Sequence, residues 1–178
     1  MDKVWLRDYP PGVPAEIDPD SIPSLKQLFE DACREHAARP AFTNMGRTLS
    51  YGEIDELSRR FGAWLQHEAG LARGDRIALM MPNVLQYPIA LIGALRAGLT
   101  VVNTNPLYTA RELEHQLNDS GAKVIVIFEN ACATLAGIIG RTRVERVIVT
   151  GIGDLLGFPK GPIVNFVLRH VKKMVPAW

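Results

Sequence analysis

Apolar and polar residues fall into two rhythms along the chain. Leu25, Leu28, Phe29, Ala32 and His36 recur at helical spacing behind Ser24, with Gln27 as its capping-box partner and Pro40 as the stop. Phe42 to Leu49, with Asn-Met-Gly-Arg at its centre, predicts a short hairpin. Ser50 and Glu53 form a second capping box for a helix whose stripe is Ile54, Leu57, Phe61 and Leu65, with Gly70 as its C-cap. The pattern then changes. Arg76–Met81 is a continuous apolar run between turn residues, as a strand buried on both faces requires. An apolar helix is expected over Val84–Ala97, closed by Gly98, where Pro88 either kinks the helix or marks its start. Leu99–Asn103 predicts a strand. Thr109 and Glu112 cap a helix with Leu113 and Leu117 inward and Gly121 as its stop. Lys123–Phe128 predicts a strand, Ala131–Gly140 a weak helix and Val144–Thr150 a last strand.

Strand and helix alternate four times, which predicts an α/β fold: a mostly parallel sheet with helices on both faces. Such sheets bind ligands at the carboxyl ends of their strands, here the loops after Met81, Asn103, Phe128 and Thr150. The proline-rich residues 1–22 read as an extended arm, 23–150 as the α/β unit and 151–162 as a Gly/Pro linker. Residues 163–178 read as a basic amphipathic helix, with Val164, Val167, Val171, Met174 and Val175 on one side and Arg169, Lys172 and Lys173 on the rest. Such a helix either packs on a larger protein or lies on an anionic membrane surface through those three cations.

The 178 residues are 47% hydrophobic and 22% charged, which excludes a disordered chain. Lys and Arg total 20 against 19 Asp and Glu, so no excess positive field is left for nucleic acid. Cys33 and Cys132 lie far apart, with neither a disulfide framework nor metal-ligand spacing around them. No apolar run is long enough to span a membrane, and residues 1–14 lack a signal peptide's apolar core, so a cytoplasmic chain is expected.

Candidate chemistry is sparse. Gly151, Gly153 and Gly157 follow a predicted strand in a GxGxxxG run, one residue longer than a dinucleotide fingerprint. Phe158–Pro159 follow at once, so no long helix opens to receive a pyrophosphate, and a flexible linker is the preferred reading. Gly157-Phe158-Pro159-Lys160-Gly161 has the ending of a phosphate loop. Asp154, Leu155 and Leu156 stand where hydroxyl side chains are needed, so the match reads as accidental. His36, His67, His115 and His170 have no partners at metal spacing, and no serine sits on a nucleophile elbow. No catalytic residue and no metal ligand is expected in this chain.

Leu49-Ser50-Tyr51-Gly52-Glu53, Gly74 to Asn83, Arg96-Ala97-Gly98 and Asn105 to Leu113 occur in an order and spacing that resemble the opening of adenylate-forming acyl-CoA synthetases. Asn105 to Gly121 resembles the bacterial long-chain fatty-acid–CoA ligases in particular. The resemblance implies the N-terminal portion of the large domain of such an enzyme. It further implies ATP, Mg2+ and CoA as needs of the whole enzyme, with none expected bound by this chain alone, which would be silent by itself. A fatty acid and CoA are the implied substrates, and the inner membrane an implied peripheral location. Asn105, Pro106, Leu107 and Tyr108 are implied to lie near the nucleotide end of CoA. The same residues also make sense as a turn and a helix cap. An unpaired sheet edge and uncovered helix faces further predict a homodimer, by exchange of the tail helix or otherwise. The competing readings are a dinucleotide-binding module at Gly151/Gly153/Gly157 and a non-catalytic membrane-docking or dimerising module.

Overall fold

The computed structural model describes residues 2–178. An exposed arm with two 3-10 turns, Val4–Asp8 and Pro19–Ser21, leads into helix α1, Leu25–Glu35. Ser24 caps α1 by accepting from the Gln27 N–H at 3.1 Å. The Gln27 side chain donates instead to Asp31 at 2.9 Å, so only half of the expected capping box forms. Strands β1 (Pro40–Asn44) and β2 (Arg47–Ser50) make the hairpin. Met45 and Gly46 both take positive φ, 47° and 76°, the turn that matches a hairpin's twist.

Helix α2 (Tyr51–His67) opens with the full Ser50–Glu53 capping box. It ends at His67 with Glu68 as its cap, so Gly70 makes the turn two residues beyond. The main sheet then builds from β3 (Arg76–Met80), β4 (Thr100–Asn103), β5 (Val124–Phe128) and β6 (Arg146–Thr150). All pairings are parallel, in the order β4-β3-β5-β6. The crossovers are α3 (Gln86–Arg96), α4 (Ala110–Ser120) and the short α5 (Cys132–Ala136), which is flanked by 3-10 turns where one longer helix was expected. Pro88 sits in the first turn of α3, where its missing N–H would have had no helical partner, so it marks the start rather than a kink.

Alternation along the central strands assigns the faces. Ile77, Leu79, Met81, Val124 and Val126 pack with Leu65, Ala90 and Ala94 of α2 and α3. Ala78, Met80, Ile125 and Ile127 pack with Leu113, Leu117 and Leu135 of α4 and α5. Burying each such large side chain contributes roughly 1.5–3 kcal/mol, which is why β3 and β5 sit at the centre. Leu49, Ile54, Leu85 and Ile92 form a smaller core that fixes the hairpin and α1 to the helix layer. At the sheet edge, Val147 and Val149 of β6 remain 42% and 37% exposed.

Within residues 151–162, read from sequence as a linker, buried and exposed positions alternate. Gly151, Gly153, Leu156 and Gly161 are buried, and the tail helix α6 starts early, at Lys160, running to Phe166. A π-helical turn, Val167–Val171, continues it. The close packing has a steric cause. A Cβ on Gly153 would stand 2.3 Å from the Gly161 carbonyl, and one on Gly161 would stand 2.3 Å from that of Gly153. No described helix is long and apolar enough to cross a membrane.

Candidate functional site

The connections of neighbouring strands part company between β3 and β5. The loop after β3 feeds α3 on one face, and the loop after β5 feeds α5 on the other. Where adjacent connections diverge, the carboxyl edge of a parallel sheet opens into a crevice. Here the crevice measures about 290 Å³ and is lined by Pro82, Pro106, Leu107, Phe128, Asn130 and Ala131.

The loop after β4 brings two of the four residues singled out from sequence to this crevice. Pro106 and Leu107 line it, and Leu107 is 87% exposed at its rim. Asn105 holds the turn: its Oδ1 accepts from the Leu107 N–H at 3.0 Å and its carbonyl from the Tyr108 N–H at 3.1 Å. Tyr108 leans on the α4/α5 core instead of lining the crevice. Thr109 completes the α4 capping box with Glu112, and the Thr109 N–H holds the Glu112 carboxyl below its ordinary value. Turn, rim and cap are one device in this loop.

At the far side of the same edge, the end of β6 is tied down by a polar network. The Asp154 carboxylate accepts from the Thr150 hydroxyl at 2.9 Å and from the Gly151 N–H at 2.8 Å. Gln86 of α3 donates to the Gly151 carbonyl at 2.7 Å. Glu129, directly after β5, is 1% exposed, and its Oε2 accepts from the Arg169 Nε at 2.6 Å. Asn130 donates to the Met174 carbonyl at 2.6 Å, so a residue lining the crevice also holds the tail. Sequence reading missed Glu129. The available signal was an acid placed immediately after Val-Ile-Val-Ile-Phe, at the carboxyl end of a buried strand.

Arg169 therefore turns toward the sheet, while Lys172 and Lys173 point into solvent. In the GxGxxxG turn, Gly151 and Gly153 abut the Glu129 and Asn165 side chains, with Gly161 against Gly153. Burial, followed by the charge of Glu129, pushes the Cys132 thiol up to about 11. Among the described residues no cluster of three His, Cys, Asp or Glu could hold a metal ion. A larger hollow of about 720 Å³ lies among α1, α2 and α3 around Arg96 and Asp55, away from the carboxyl edge.

These features define an α/β scaffold with a crevice at the carboxyl edge of its parallel sheet. Residues 29–172 match the model of the AMP-binding enzyme family, and the chain belongs to that family. It is similar to the long-chain-fatty-acid–CoA ligases of Yersinia pestis, at 56% identity over 178 residues, and of Salmonella typhimurium, at 55%. The match covers all of this chain and 32% of each relative, so the chain spans about a third of the length of the curated relatives it matches. Among solved structures, a long-chain-fatty-acid-CoA ligase from Archaeoglobus fulgidus superposes with a TM-score of 0.66 at 27% identity, covering 80% of this chain and 30% of that one. A Mycobacterium tuberculosis fatty acyl CoA synthetase, at 23% identity, shares the fold with a TM-score of 0.68 over 74% of this chain and 27% of its own. The family match replaces the dinucleotide-binding alternative.

Proposed function

We propose that this chain forms the N-terminal third of a long-chain fatty-acid–CoA ligase. The observation that carries the reading is identity above one half, over every residue, to bacterial proteins of that name. In the whole enzyme a fatty carboxylate attacks the α-phosphate of ATP and releases pyrophosphate, and the CoA thiol then takes the acyl group and releases AMP. The described residues include no cluster fit for Mg2+, so no step through that ion is assigned to them. Their part is to build one wall: residues 23–150 as the α/β unit, 1–22 as an extended arm, 151–162 as a Gly/Pro linker and 163–178 as a basic amphipathic helix. The Asn105–Tyr108 turn borders the nucleotide end of CoA, a role supported by the rim position of Pro106 and Leu107. The protein works in the cytoplasm and touches the inner membrane through the tail cations Lys172, Lys173 and Arg169. It associates as a homodimer.

The test is expression of the full reading frame beside this chain. The full protein exchanges pyrophosphate in the presence of oleate, and the 178 residues alone do not. In the full protein, Leu107→Asp and Tyr108→Ala raise the KM for CoA and leave that for ATP unchanged. Exchange by the short chain, or an unchanged KM for CoA in both variants, removes the corresponding assignment. Sedimentation of the full protein as a monomer at high concentration removes the dimer.

A further inference from the structure

We propose that the groove along the tail binds an amphiphilic phosphate, a phosphate carried on a hydrocarbon chain, with Arg169 as its anion contact. The groove is about 750 Å³, and its walls include Phe158, Pro162, Phe166, Arg169 and His170. Arg169 is held from behind. Its Nε is bound to Glu129, whose carboxylate is 1% exposed, whereas the arginine side chain is 48% exposed. A carboxylate so deeply buried cannot lose its partner cheaply, so the guanidinium is fixed in one place. Its two outer nitrogens donate to no described residue and remain available for a planar, bidentate contact with an oxyanion. Fixing the arginine beforehand removes the ordering cost that usually weakens a surface contact.

The rest of the groove suits the same ligand. Its one acid, Asp154, is consumed by the Thr150 hydroxyl, the Gly151 N–H and, at 2.8 Å, the Asn165 amide. His170 stands against Phe166, ring centroids 4.9 Å apart. Phe158 is 91% and Phe166 59% exposed, offering a hydrocarbon chain two aromatic faces beside the cation. Residues 155–178 carry four of the chain's 20 Lys and Arg and none of its 19 acids.

The experiment titrates the 178-residue chain with octyl phosphate below its micelle concentration, following backbone amide shifts over residues 153–170. Octyl phosphate binds in the expected result, and inorganic phosphate and octyl glucoside each bind at least tenfold more weakly. Arg169→Gln weakens octyl phosphate at least tenfold, whereas the double variant Lys172→Gln/Lys173→Gln stays within twofold. If Arg169→Gln unfolds because Glu129 is left alone, the pair Glu129→Gln/Arg169→Gln carries no buried charge and gives the same loss. Equal binding of octyl phosphate by either Arg169 variant, or equal binding of octyl glucoside, overturns the proposal. Phosphatidylglycerol vesicles that displace octyl phosphate identify a lipid headgroup as the source of the oxyanion, and vesicles that leave it bound identify a soluble amphiphile. No ligase activity is read, so this proposal and the assignment to a CoA ligase fail separately.

Discussion

Gly93→Ala is the sharpest perturbation of the helix layer that carries the α3 side of the sheet. A Cβ at Gly93 would lie 2.9 Å from the Ser58 carbonyl oxygen, 2.9 Å from Phe61 Cδ1 and 3.3 Å from the Gly62 nitrogen. Two of these three atoms are backbone of α2, and Ser58 is fully buried, so relief requires α2 and α3 to separate. Overpacking of this kind costs about 3 kcal/mol at the upper end of its usual range. Replacing a mid-helix glycine by alanine returns about 1 kcal/mol, leaving a net loss of about 2 kcal/mol. For a domain of this size that lowers Tm by roughly 4–8 °C. Gly137 is the control. It is exposed with helical φ and ψ of −70° and −13°, and its nearest Cβ contact is an ordinary 3.7 Å. Gly137→Ala should gain about 0.4–1 kcal/mol through the unfolded chain alone. Scanning calorimetry of both variants decides the matter: a Gly93→Ala protein as stable as the parent, or two shifts of the same sign, would refute the close-crossing argument.

Ser50→Ala and Thr109→Ala each remove a capping-box hydroxyl and should cost about 1 kcal/mol, read as a lower urea midpoint at constant slope; an unmoved midpoint contradicts the caps. Lys123 Nζ at 2.8 Å, then the Ala72 N–H at 2.9 Å, hold the Asp75 carboxyl below its ordinary value of 3.8. Its folded pKa is depressed, so its contribution is complete above about 3.8 and is lost as pH falls through the folded value. The stability difference between the parent and Asp75→Asn should therefore shrink between pH 5 and pH 2.5, and a constant difference would contradict the pairing. Burial raises both thiols, Cys132 to about 11, so at pH 8 Ellman's reagent should label neither at an appreciable rate until urea is added.

The elements were legible because each is marked locally. Ser50 with Glu53 and Thr109 with Glu112 announce helix starts wherever the rest of the chain lies, and Ile77–Met80 can only be a strand buried on two faces. The two-faced helix cover followed from the alternation of elements. The crevice was half legible. The loop after β4 was marked by Asn105–Pro106, but Pro82 and Asn130 join it only because β4 and β5 flank β3. Which glycines between Gly151 and Gly161 pack closely was not legible. A glycine that allows a loose turn and a glycine that allows close packing have the same letter, and only the facing carbonyl distinguishes them.

Sequence alone thus determined the order and kind of the elements, the apolar faces and the family pattern, because propensity, capping and periodicity act over a few residues. Tertiary structure decided the rest: the strand order, the crevice where β3 and β5 part, and the burial of Glu129 against Arg169, 40 residues away. Those depend on which distant groups are brought together and cut off from water. Charges and hydrogen bonds change their worth with that surrounding, and no stretch of sequence carries the information by itself.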